Sequence, residues 1–129
     1  MKKISIIPIL MLLFAACNTT LESSYDAWEG KARIISIKES DYNPTGKNEY
    51  VDIYFDFTPA DPEASKKYRF KNELDTNRRF FHDHRGNLHK KWVADTGIKV
   101  NNVYPATRYE KKGMSGGAPV FFRVNVAPQ

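Results

Sequence analysis

Polar and apolar positions alternate most cleanly in residues 50–57, where Val51, Ile53, Phe55 and Phe57 share one face and Asp52 and Asp56 the other. That period of two is the signature of a half-buried β-strand. Residues 120–126 repeat it, with Val120, Phe122, Val124 and Val126 set against Phe121, Arg123 and Asn125. In residues 31–39 the apolar phase slips between Ile34 and Ile35, which predicts a strand buried on both faces or bulged. Asn43-Pro44-Thr45-Gly46 lies between the first two strands. Pro presets φ and Gly permits a positive φ, so this is a turn within a long hairpin loop. Prolines at 59 and 62 end the second strand, because Pro cannot donate to a ladder. Residues 67–71 place Tyr68 and Phe70 together as a further strand, and residues 97–100 and 103–110 read as a strand pair turning at Asn101-Asn102.

The middle of the chain is ambiguous. Residues 79–93 read as a helix through Phe81, Leu88 and Trp92, or as a hairpin closing at residues 83–87. Gly86-Asn87 in mid-run weakens a helix and favours the hairpin. Residues 72–77 suggest a helical turn, and residues 111–119 a glycine-rich loop. Many short strands separated by turns predict an all-β domain with at most one short helix, a small β-barrel or β-sandwich. About 100 ordered residues should bury roughly 65% of their unfolded surface. The 16 aromatic residues that follow position 17 suffice for that core. The order of strand, NPTG-type loop, alternating strand ending in Pro, then GIKVNNVYPATRYE, resembles small OB-like or SH3-like domains of bacterial lipoproteins.

The N-terminus has its own pattern. Lys2 and Lys3 precede an apolar run over residues 4–14, broken only by Ser5 and Pro8, and then Ala15, Ala16 and Cys17. A positive start, a short apolar stretch and small residues are the order of a secretory signal. The run is shorter than the roughly 20 apolar residues that span a bilayer. Phe14-Ala15-Ala16-Cys17 resembles the lipobox of bacterial lipoproteins. The resemblance implies cleavage before Cys17 and a lipid on its sulfur, for which a thiolate is a suitable nucleophile. Two or three acyl chains would make the anchor effectively permanent. Within that resemblance, Asn18 in place of Asp implies the outer membrane, and the lack of an acidic export run after Cys17 implies its periplasmic side. The expected organisation is a signal peptide at 1–16, a lipidated tether at 17–27 and one β-rich domain at 28–129.

Composition narrows the function classes. The chain has 129 residues, a hydrophobic share of 41% and a net charge of +5. That excludes disordered and collagen-like classes. A single cysteine excludes an intrachain disulfide framework and any zinc site with more than one thiolate. Charge is segregated: residues 17–65 carry 4 basic and 10 acidic side chains, residues 66–91 carry 9 and 3, and residues 92–129 carry 5 and 2. Opposite charges on adjacent strands would pair across the sheet. The basic stretch of Lys66, Lys67, Tyr68, Arg69 and Lys71 is a candidate partner-binding surface, together with the Tyr104–Tyr109 region. An exported protein meets little nucleic acid, so an envelope protein, cell-wall polymer or lipid is the expected partner.

Candidate chemistry is sparse. His82, His84 and His89, with Asp83 between the first two, could bind Zn²⁺, Cu²⁺ or Ni²⁺, although Arg85, Lys90 and Lys91 oppose a cation. Gly113-Met114-Ser115-Gly116-Gly117 matches the letters of a nucleophile elbow, but it leads into a strand rather than a helix. It also lacks the Lys-Ser/Thr ending of a phosphate loop. Asp52 and Asp56 lie about 13 Å apart along a strand, too far for a glycosidase pair. No catalytic residue and no cofactor are expected. The sequence reads as a membrane-anchored, non-catalytic binding or structural module of the bacterial envelope. An inhibitor of a lytic enzyme such as lysozyme, or a histidine-based metal-binding protein, is the alternative.

Overall fold

The computed structural model describes residues 24–113 and 118–126. The elements in chain order are β1 (Tyr25–Glu39), β2 (Tyr50–Pro59), a 3-10 turn (Ala64–Lys67), β3 (Arg78–Arg79), β4 (Asn87–His89), α1 (Lys90–Thr96), β5 (Val103–Lys111) and β6 (Val120–Val124). All strand pairs are antiparallel, in the order β3-β2-β1-β5-β6, with β4 also on the outer side of β2. The expected all-β class holds: the sheet is a curled half-barrel carrying, among the described residues, one short α-helix.

β1 is long enough to serve two partners. Residues from Tyr25 to Arg33 pair with β5, and those from Gly30 to Glu39 pair with β2. The slip of apolar phase is a bulge between Ile34 and Ser36, which lets both Ile34 and Ile37 face inward. β1 starts at Tyr25, inside the stretch expected to be tether, because Tyr25, Asp26 and Ala27 find ladder partners in Lys111, Glu110 and Tyr109. Small residues occupy neighbouring positions on β1 and β5. Gly30 lies beside Ala106, and a Cβ on Gly30 would run into the Thr58 carbonyl. The curl carries β6 back over β2: the Phe122 ring meets Phe55 edge-on at 5.6 Å and Phe57 at 5.3 Å, although β1 and β5 lie between those strands. Val51, Ile53, Phe55 and Phe57 are all buried, as their alternation requires.

The middle of the chain departs from expectation. Residues 79–93 form neither a helix nor a full hairpin. His82 and Arg85 exchange two 2.9 Å backbone hydrogen bonds across Asp83 and His84, both at positive φ (49° and 64°), the conformation of a two-residue type I′ turn. The flanks do not pair with each other, because β3 and β4 each take the outer edge of β2. The helix starts only at Lys90, where His89 Nδ1 accepts from the Lys91 N–H at 3.0 Å. It ends at Gly97 in the left-handed region (φ 75°). Residues 97–100 are not a strand: they return the chain from this cap so that Ile98 plugs the core. Residues 67–71 are not a strand either, for a reason given by the site below.

Replacing Ile53, fully buried at the sheet centre, with Ala should lower stability by about 2–5 kcal/mol in urea denaturation. Lys31→Ala, on the exposed face of β1, should stay within about 0.5 kcal/mol of the parent.

Candidate binding cleft

On the concave face of β5 the alternation Tyr104, Ala106, Arg108, Glu110 sends two charges inward. Both are completely buried. Buried charges persist only when hydrogen-bonded and paired. The segment 68–75 supplies most of that pairing. Glu110 accepts from the Phe70 N–H at 2.8 Å, the Arg69 N–H at 3.2 Å and the Trp28 indole Nε1 at 2.9 Å. Arg108 Nε donates to Asp75 Oδ1 at 2.8 Å, and Nη2 donates to the Phe70 and Glu73 carbonyls, both at 3.1 Å. The guanidinium lies 3.7 Å from the centre of the Tyr68 ring, whose hydroxyl donates to Asp75 Oδ2 at 2.9 Å. Arg108 Nη1 stands 2.9 Å from Glu110 Oε2 as an ion pair, but off the axis of a hydrogen bond. Residues 68–70 are therefore not in a strand: the Arg69 N–H and both backbone groups of Phe70 go to the buried carboxylate and guanidinium, and the Tyr68 N–H closes the preceding turn on the Ser65 carbonyl.

The electrostatics follow this packing. Burial works to raise the Glu110 pKa, but the hydrogen bonds from the Phe70 N–H, the Trp28 indole and the Arg69 N–H, with the adjacent Arg108 charge, outweigh it and hold the carboxyl below its ordinary value. Burial, and then the hydrogen bond to Asp75, push the Tyr68 phenol well above its ordinary value, so it remains neutral.

This clamp fixes one wall of a cleft. The Asp75 carbonyl accepts from the Phe57 N–H at 2.8 Å, Asn77 N–H donates to Asp56 Oδ1 at 2.8 Å, and Phe80 N–H donates to the Ile53 carbonyl at 2.8 Å. Residues 75–80 thus lie along the edge of β2. Facing them across the open seam of the half-barrel is β6. The space between is about 1170 Å³. Its walls include Leu74 and Phe81, whose side chains are exposed, and the arginines at 78, 79 and 123. Arg78 reaches across to stand 4.9 Å from the Phe122 ring and pairs with Glu73 at 3.2 Å. Arg79 pairs with Asp52 at 3.0 Å. Arg123 has no carboxylate partner among the described residues; it lies 5.6 Å from the Tyr109 ring.

The residues singled out in the sequence are dispersed. His82 lies against the Trp92 ring at 4.6 Å, His84 sits at the cleft rim and His89 caps the helix. Among the described residues, no group of three His, Cys, Asp or Glu side chains is placed to hold a metal ion. In the basic stretch, Tyr68 is buried, Arg69 bridges Asp26 and the Lys111 carbonyl, and Lys66 pairs with Glu63. Lys67 and Lys71 are exposed. Segregated charges do meet: Arg69 and Arg79 from the basic segment reach Asp26 and Asp52 from the acidic one. Cys17 and Met114–Gly117, with Ser115, lie outside the described residues. Leu74, Phe81 and the inward pair Arg108 and Glu110 were not anticipated. The pair could have been found from its phase, since it shares the face of Ala106.

Comparison of the chain with protein-family models, curated proteins and solved structures gives no match.

Removing one member of the buried pair should cost about 3–5 kcal/mol, as in Arg108→Met, because Glu110 keeps its burial and loses its counter-charge. The double variant Arg108→Met/Glu110→Leu should recover much of this loss in chemical denaturation, while amide exchange in segment 68–75 speeds up. Acid should act through Glu110. Its folded pKa is depressed, so its contribution to stability is full above the ordinary value near 4.5 and is lost as pH falls through the lowered one. Denaturation midpoints measured from about pH 5 to about pH 3 should therefore fall more for the parent than for Glu110→Gln.

Proposed function

We propose that this chain is a non-catalytic binding module of the bacterial envelope, tethered through Cys17, and that its ligand sits in the cleft between β3 and β6. The observation that carries the reading is the incomplete barrel. The sheet stops short of closure, and the resulting seam is an open volume of about 1170 Å³ walled by exposed Leu74 and Phe81. Ligand sites are typically concave, largely apolar and set with a few polar groups, and about 300–1,000 Å³ is their usual size. Exposed large apolar side chains grouped at such an opening mark a contact surface. Arg78 and Arg79, each held by a carboxylate, add oriented polar groups to it. The anchor rests on the Phe14-Ala15-Ala16-Cys17 sequence and would hold the module at the membrane while leaving the cleft free to meet a protein or cell-wall partner.

A photo-crosslinking residue placed at position 81 of the full chain, expressed in its bacterial host, should give a discrete adduct. The same residue at position 42, in the exposed loop between β1 and β2, should not. No adduct at position 81, or equal adducts at both, would overturn the binding reading. An alkyne-fatty-acid label should appear on the parent and vanish in Cys17→Ala; a label that survives the substitution would overturn the anchor.

A further inference from the structure

The two margins of the cleft differ in kind. On one side the margin is β3, only Arg78–Arg79, both charged and both engaged in ion pairs. Short, charged edges resist the addition of another strand. On the other side the margin is β6, five residues long, with Arg123 its one charge and no proline within it. β6 contributes Val120 and Phe122 from its concave face, and Phe121 and Arg123 from its convex face, to the same cleft wall. Successive residues from both faces of a strand can line one space only when that space lies along the strand's edge.

The ladder register shows which backbone groups look into it. Lys111 N–H donates to the Pro119 carbonyl at 2.9 Å and Asn125 N–H donates to the Pro105 carbonyl at 2.8 Å. Counting inward with the pairs Tyr109↔Phe121 and Thr107↔Arg123, the odd-numbered residues of β6 face β5. The N–H and C=O groups of Val120, Phe122 and Val124 therefore point away from β5 at the sheet's edge, where Val120 and Phe122 line the cleft. Among the described residues this row has no strand partner, and a row of this kind is a template for an added strand. The side chains beside it define what the added strand would carry. Leu74 and Phe81 offer apolar contact, and Arg123, the cleft cation without a carboxylate partner among the described residues, offers an ion pair.

From this the geometry points to an occupant: an extended peptide segment of a partner protein, alternating apolar and acidic residues, that adds to the free edge of β6 in the seam. The inference rests on the reading of the cleft as the binding site and names the class of ligand it takes.

The test uses the full chain. In the free protein, hydrogen exchange should be fast at the Val120, Phe122 and Val124 amides and slow at Phe121 and Arg123. Slow exchange at all five would overturn the inference: in a monomer the edge is covered by the chain itself, and in a dimer by a second copy. The peptide acetyl-(Val-Glu)4-amide should bind at least tenfold more tightly than acetyl-(Val-Lys)4-amide in fluorescence anisotropy. Two backbone-blocked versions of the first peptide, N-methylated at every Val or at every Glu, should differ, with one at least tenfold weaker than the parent peptide. Arg123→Glu should reverse the charge preference. Failure of all peptides to bind, or equal binding by both N-methylated forms, overturns strand addition. If the adduct at position 81 persists in that case, the cleft reading stands and only the ligand class falls; if the adduct is missing, the cleft reading falls.

Discussion

The buried pair of Arg108 and Glu110 is the interaction on which the rest of this structure depends. One end of the concave face of the half-barrel is filled by charge instead of by apolar side chains. Two ions taken out of water demand partners, and the nearest available are the backbone groups of segment 68–75. That demand gives an otherwise irregular loop a single place to lie. The loop in turn delivers Asp75 and Asn77 to the edge of β2, and the same run of chain forms a wall of the cleft. A buried ion pair adds little net stability compared with an apolar replacement, but it penalises every arrangement in which one partner is unmet. Specifying the path of a loop is a use suited to that asymmetry.

The curl of the sheet and the opening of its seam come from the same source. Gly30 and Ala106, neighbours on adjacent strands, leave room on the concave side, so the sheet bends until Phe122 meets Phe55 and Phe57. The outer strands β3 and β6 do not pair with each other among the described residues. Side chains bridge the seam through Arg78 and Phe122, while the backbone edge of β6 remains open. The cleft is thus the result of a core that is satisfied before the barrel is complete. Function, on this reading, lies in the strand that the fold leaves out.

Much of the architecture was legible in the chain. The strict alternation of β2 and β6, the slipped phase of β1 and the proline stops after β2 correspond to burial, bulge and strand end. The stretches that misled share a cause. Tyr68 and Phe70 alternate like a strand, yet the Phe70 backbone groups go to side chains far along the chain and the Tyr68 N–H to the Ser65 carbonyl of the preceding turn. His82 and His89 look like potential ligands, yet one lies tilted against the Trp92 ring and the other caps a helix. Leu74 belongs to no periodic run, and Phe81 shares a helical spacing with Leu88 yet is exposed where Leu88 is buried, so nothing local distinguishes an exposed apolar residue from a buried one.

Local pattern alone determined the class of fold, the facing of the main strands, the bulge and the segregation of charge, because each depends on residues within a few positions of one another. Tertiary structure decided where the two inward charges find their partners, where the sheet stops curling and which edge stays unpaired. Those outcomes depend on contacts between residues about 30–80 positions apart, such as Arg108 with Asp75 and Trp28 with Glu110, and no local period encodes them. The lone cysteine and the basic stretch stood out in the sequence; the cleft became visible only once β6 had curled back toward β2.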